Sequence, residues 1–261
     1  MSARKFKLIL AYDGAGYEGW QARSKGRGIR QTIRDACLQI WGSGPEIIAS
    51  SRTDAGVHAR GLVAHLELTE EHPQMTGNKL RLALNAQLPS EIRILSATCA
   101  RADFHARFDA TSKEYRYSVW NHPVMDPLLR GQAWHVPRAL DLAAMHEAAE
   151  ALVGRHDFRS FTAKRKGELL DPTRTLLRCL IKRSGPRLTF QLIGEGFLYK
   201  MCRRIVGTLV QVGEGKRTPA DVRNLLSQPD TYQAGMIAPA HGLILWKVNY
   251  GNAGKNNSSA K

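Results

Sequence analysis

The chain has 261 residues, 43% of them hydrophobic and 23% charged, which suits one large domain or two modest ones and excludes a disordered polyelectrolyte. Lys and Arg outnumber Asp and Glu by 38 to 23, a net charge of +15. That surplus points to a polyanionic partner, without separating DNA from RNA or either from an anionic membrane.

In chain order, residues 5–12 ("KFKLILAY") alternate, with Phe6, Leu8, Leu10 and Tyr12 on one face, and predict a strand. Ile29, Ile33, Ala36, Cys37 and Ile40 recur at helical spacing over 28–41. Residues 46–50 and 62–68 predict two further strands, 78–88 a helix stopped by Pro89, and 92–100 a strand. This β-α-β-β-α-β order folds as an antiparallel sheet with both helices on one face. The theme returns after the linker "HARFDATSK": a strand at 113–120, a helix at 141–154 capped by Asp141, and two strands at 173–183 and 187–195. A strong helix follows at 197–213, with Leu198, Met201, Cys202, Ile205, Leu209 and Val212 on one stripe. Thr218 and Pro219 open another helix, and 243–250 close as a strand. The expected fold is therefore α+β: two pseudo-symmetric β-α-β-β-α-β halves of RRM or ferredoxin-like pattern, with antiparallel sheets around a central cleft. The expected division is 1–106, 107–250 and a polar tail at 251–261.

No run approaches the ~18 apolar residues of a membrane helix, and the basic start breaks at Asp13 before forming a secretory leader. Cys37, Cys99, Cys179 and Cys202 are scattered, with no CxxC pair. They predict reduced, mostly buried thiols of a cytoplasmic protein and exclude the zinc-deaminase pattern.

Chemistry concentrates in "SSRTDAGVHARG", where Asp54 is a lone acid between Arg52 and Ala55-Gly56. On residue types alone this is a turn. The rival reading is a nucleophile, with Arg52 either favouring the charged carboxylate or gripping a phosphate. His58 reads as a structural histidine, since no Ser or Cys completes a triad with it. In "EYRY", Tyr115 and Tyr117 share one strand face, either as core or, for Tyr115, as a base-stacking ring. Lys200, Arg203 and Arg204 fall off the apolar stripe, as a solvated face or as anion partners lining a cleft. "APAHGLILW" shows only Pro239 and Gly242 bracketing a turn.

Taken together, "AYDGAGYEGWQ", "SRTDAGVHA", "FHARFDATSKEYRY", "FLYKMCRRIVGTLVQVG" and "APAHGLILW" resemble the TruA family of tRNA pseudouridine synthases, in the family's order, from Ala11 to Trp246. The resemblance implies conversion of uridine to pseudouridine at tRNA positions 38, 39 and 40, two joined α/β halves, a homodimer and no cofactor or metal. It puts Asp54 in the place of the catalytic aspartate. Arg52 takes that of the arginine handling the flipped nucleotide, Tyr115 that of the tyrosine against the target base, and Arg203 that of the aspartate's partner. Further RNA contacts are expected from His58, His105, Arg107, Lys200 and Arg204. Two positions depart from the family: Ser51 replaces the usual Gly, and Asp109 replaces a small residue near presumed RNA contacts. The rivals are a non-catalytic RNA-binding protein with paired sheets and a metal-dependent nuclease, which wants clustered carboxylates the sequence does not supply.

Overall fold

The computed structural model describes residues 4–22, 26–69, 72–163, 171–229, 231 and 233–251. Strand β1 (Arg4–Tyr12) buries Phe6, Leu8, Leu10 and Tyr12 as its alternation requires. Helix α1 (Ile29–Trp41) seats Ile29, Ile33, Ala36 and Cys37 in the core. It ends at Gly42, whose φ of 71° lets the chain turn back onto the Leu38 carbonyl. Strands β2 (Ile47–Ala49) and β3 (His58–Leu68), helix α2 (Gly77–Gln87) and strand β4 (Ile92–Cys99) complete the first series.

The second series contains β5 (Ala110–Trp120), β6 (Trp134–His135), α3 (Leu142–Ala151), β7 (Gly154–Asp157), β8 (Thr173–Ser184), β9 (Arg187–Gly194), α4 (Met201–Gly213), α5 (Pro219–Ser227) and β10 (Leu243–Tyr250). The Asp141 side chain caps α3 through the Ala144 N–H. Thr218 and Asp221 form a reciprocal capping box on α5.

All ten strands join one sheet, ordered β4-β1-β3-β10-β5-β9-β8-β7, with β2 beside β3 and β6 beside β5. Its two flanks are antiparallel, as expected, but the seam is not. β10 pairs with β3 in parallel, over only two rungs, Ile244 with His58 and Leu245 with Ala59. β6 is also parallel to β5. The antiparallel sheets expected of the two halves are present, and the parallel seam joins them, with β3 and β10 both entered by loops at the same end of the sheet.

Across the seam the faces stay continuous. Ala59 pairs with Tyr12, and Leu245 lies opposite Tyr115, so one buried face runs through both flanks. On it α1 packs with α2, while α3 packs with α4 and α5.

Several bounds differ from the sequence expectation. β3 begins at His58, four residues before the apolar run, because pairing with β10 recruits it. Helix α4 begins at Met201, not at 197. Lys200 takes a left-handed backbone, φ 61°, and turns the chain into the helix. The short β6 and β7 carry no readable pattern of their own. The polar tail from 252 onward lies outside the described residues. Among those residues no helix is long and apolar enough to cross a membrane. Cys37, Cys179 and Cys202 are buried and Cys99 is exposed, all as free thiols.

Candidate active site

The loop before β3 is a tight turn. The Val57 N–H donates to the Asp54 carbonyl at 3.1 Å, and Gly56 takes φ +75°, which an L side chain resists. The segment after β1 cradles it by backbone contact. Trp20 N–H donates to the Thr53 carbonyl, and Gly56 N–H to the Tyr17 carbonyl. The two chains lie so close that side chains are forbidden between them. A Cβ on Gly14 would stand 2.1 Å from the Val57 oxygen, and one on Gly19 would stand 2.3 Å from the Thr53 oxygen. "AYDGAGYEGWQ" is thus the seat of the Asp54 loop.

Two tyrosine hydroxyls hold that loop from beneath. Tyr12 on β1 meets the Thr53 hydroxyl at 2.8 Å, and Tyr115 on β5 meets the Ser51 hydroxyl at 3.0 Å. With Ser51 and Thr53 both turned toward the sheet, Arg52 between them is exposed. It is not the ion-pair partner of Asp54 that sequence proximity suggested.

That partner is Arg203, in the first turn of α4. Its Nη1 donates to Asp54 Oδ2 at 3.1 Å, with the two side chains 14% and 19% exposed. Arg203 is aimed from behind by the loop entering β10. Its Nε donates to the Ala238 carbonyl at 2.7 Å, while the Ala238 N–H donates to the Arg203 carbonyl. The same loop is anchored where Tyr117 donates its hydroxyl to the Pro239 carbonyl at 2.8 Å. "APAHG", mute as a sequence, therefore orients the guanidinium, and Tyr117 is a core residue.

Tyr115 lies three residues of loop away from Asp54 through its Ser51 contact and packs edge-on against Phe197, 5.2 Å between centroids. Burial raises its phenol pKa well above the ordinary value, helped by the Cys202 thiol, while the Ser51 hydrogen bond pulls the other way. Tyr115 is neutral at physiological pH. The Cys202 thiol, behind Asp54, is likewise pushed well up by burial and then by the Asp54 charge, so it is inert as a nucleophile. Among the described residues no three His, Cys, Asp or Glu side chains gather as metal ligands do. What the site offers is one carboxylate, charge-compensated by a fixed guanidinium, near a buried neutral tyrosine. That arrangement suits nucleophilic or basic attack by the carboxylate on a ligand brought against it.

The other expected contacts are distributed differently. His58 is buried: its Nδ1 accepts from the Gly14 N–H and its Nε2 donates to the His241 carbonyl, both at 3.1 Å. The Asp13 carboxylate lies 3.0 Å from the same Nδ1. His58 joins the two entry loops, with both ring nitrogens engaged within the protein. Arg204 is half-buried with Nη1 toward the Ala234 carbonyl, and burial lowers its pKa. It braces the loop rather than standing on an open surface. Lys200 caps α4 with its Nζ 4.9 Å from the Tyr199 ring centroid.

Arg107 is exposed. His105 stacks on Phe108 at 4.2 Å, its Nδ1 accepting the Arg107 and Phe108 N–H groups. The Asp109 charge, expected to disturb RNA contacts, is answered locally by Arg101 at 2.6 Å and the His105 N–H. Sequence reasoning missed Tyr12, Thr53 and Ala238 as site supports. The only signal for the seat was the density of glycine at Gly14, Gly16 and Gly19.

The sequence matches the family described as tRNA pseudouridine synthase over residues 8–109 and 148–251. It is 43% identical to tRNA pseudouridine synthase A of Geobacillus kaustophilus (strain HTA426) over 249 residues, covering 95% of each chain. The protein of the same name from Brevibacillus brevis is 42% identical over 95% of this chain and 100% of its own. That of Methylacidiphilum infernorum is 38% identical over 94% and 95%.

Proposed function

The chain belongs to the tRNA pseudouridine synthase family, and on that footing we propose that it acts on uridines 38, 39 and 40 of the anticodon arm, with Asp54 as the group that starts the reaction. Isomerisation breaks the bond from N1 to the sugar, turns the base and rejoins it through C5. Atoms and electrons balance within the nucleotide, so no redox partner or group donor enters. The target base first leaves its stack, at a cost of a few kcal/mol. The Tyr115 ring and phosphate contacts from the basic cleft offset that cost. Arg52, exposed on the same loop, is assigned to a phosphate of the arriving nucleotide.

The observation that supports Asp54 is its ion pair with Arg203, itself fixed by two backbone contacts to Ala238. A carboxylate that only shaped a turn needs no such partner drawn from the far end of the chain. A non-catalytic RNA-binding reading leaves the pair unused. We take the working form to be a homodimer, by the same family resemblance, without a cofactor.

Asp54→Asn tests the assignment. The variant is expected to bind unmodified tRNA like the parent and to release no tritium from C5-labelled uridine tRNA. Tritium release near the parent rate would remove Asp54 from the chemistry. Mapping pseudouridines in tRNA before and after treatment with the parent protein tests the three positions.

A further inference from the structure

Ser51 stands where the resembling family usually carries Gly, and the side chain it adds is engaged. Its hydroxyl lies 3.0 Å from that of Tyr115, and either can donate. The contact crosses the seam: Ser51 belongs to the loop entering β3, and Tyr115 to β5, on the other side of β10. Tyr115 has no freedom to seek a different geometry. Its ring is buried, with Phe197 edge-on at 5.2 Å and Leu192 and Leu245 opposite it on the neighbouring strands. The loop must therefore come to the phenol.

One rung further on, Thr53 makes the matching contact to Tyr12 of β1. The stretch from Ser51 to Thr53 is thus pinned at both ends, once to each side of the seam, and Asp54 follows directly. A loop pinned only through Thr53 would be set by β1 alone, leaving its distance from β5 to be decided by softer contacts.

We propose that Ser51 is a positioning residue for the reaction, whose hydroxyl sets the separation between the Asp54 loop and the Tyr115 ring. The uridine has to sit between carboxylate and ring, so this separation fixes the register of the base against Asp54. The proposal rests on the assignment of Asp54 and Tyr115 to the active site.

The test is single-turnover pseudouridine formation by the parent, Ser51→Ala, Tyr115→Phe and the double variant, with tRNA binding and thermal melts measured alongside. Ser51→Ala is expected to slow the saturated rate about tenfold, the scale of one lost hydrogen bond in a rate-determining geometry. Half-saturation by tRNA should stay within about twofold, because the phosphate contacts are untouched. In the Tyr115→Phe background the same change should have no further effect, since the bond is already gone. A Ser51→Ala rate equal to the parent's overturns the proposal, whatever happens to the melting temperature. So does a full multiplicative loss in the double variant. Should Ser51→Ala fail to fold, Ser51→Gly carries the same comparison. A parent protein that makes no pseudouridine at all refutes the functional reading instead, and takes this inference with it.

Discussion

Replacing Gly14 with Ala forces a methyl group to 2.1 Å from the Val57 carbonyl oxygen and 2.6 Å from its carbon. Restoring ordinary contact needs roughly 1 Å of movement between two backbones, and no flexible side chain is there to yield. Overpacking of this kind costs about 1–3 kcal/mol, which for a chain of this length lowers the melting temperature by about 2–10 °C. Catalysis should suffer more than stability. Val57 closes the turn that holds Asp54, and a misplacement of ~1 Å in a reacting group costs about a hundredfold in rate. Gly16 supplies the internal control, because a Cβ there meets nothing within 4 Å and its φ is not positive. Gly16→Ala should therefore leave single-turnover pseudouridine formation at the parent rate. Differential scanning calorimetry and the tritium-release assay on the two variants, side by side, decide the matter. If Gly14→Ala were as active as Gly16→Ala, the cradle would not be what places Asp54.

Tyr12→Phe removes the partner of a buried Thr53 hydroxyl and is expected to lower the melting temperature by about 2–6 °C, read by thermal denaturation. Unchanged melting would mean that water replaces the phenol without loss. Arg203→Lys loses the planar fork whose Nη1 and Nε reach Asp54 and the Ala238 carbonyl from separate nitrogens, so a loss of about a hundredfold in single-turnover rate is expected with folding retained. A rate within threefold of the parent would show that a bare positive charge suffices. Burial raises the phenols of Tyr12, Tyr115, Tyr117 and Tyr250 above the ordinary value of 10.0. Their folded forms keep protons that the unfolded chain loses. Stability from this source is intact below pH 10 and falls above it, by about 1.4 kcal/mol per pH unit for each such tyrosine. Urea midpoints measured between pH 9 and 11 check the sign, and a midpoint rising over that range contradicts it.

Local chemistry made part of this molecule readable in advance. Alternation gave β1 because every second residue from Phe6 to Tyr12 faces the core. The Thr218-Pro219 start of α5 was readable because capping is decided within one turn. The turn at Asp54 follows from Gly56 alone. Arg203 stood out as a cation off the apolar stripe of its helix, but only the family resemblance joined it to Asp54. Periodicity does not encode a contact spanning 149 positions.

Two of the failures share a cause: they depended on a neighbour distant in the chain. Arg52 looked like the partner of Asp54 because it is two residues away, yet the hydroxyls of Ser51 and Thr53 turn it outward. His58 belongs to a strand only because β10 arrives beside it. The apolar stripe ran through Leu198, while the left-handed backbone at Lys200 delays the helix by one turn.

The order in which this sheet is completed also follows from the two-rung seam. β10 is the last strand described, yet it lies in the middle of the sheet, between β3 and β5. During synthesis the Asp54 loop emerges early and waits for the ribosome to deliver the segment that carries Ala238 and His241 and then forms β10. Until then the start of β3 at His58 and Ala59 and the stretch 110–117 of β5 lack their partner on that side, and Arg203 has no carbonyl to aim it. Nascent chains stopped short of residue 238 can hold both acidic and basic members of the pair without a working arrangement of either. The arrangement of Asp54 and Arg203 is therefore complete only once the segment carrying Ala238 has docked beside them.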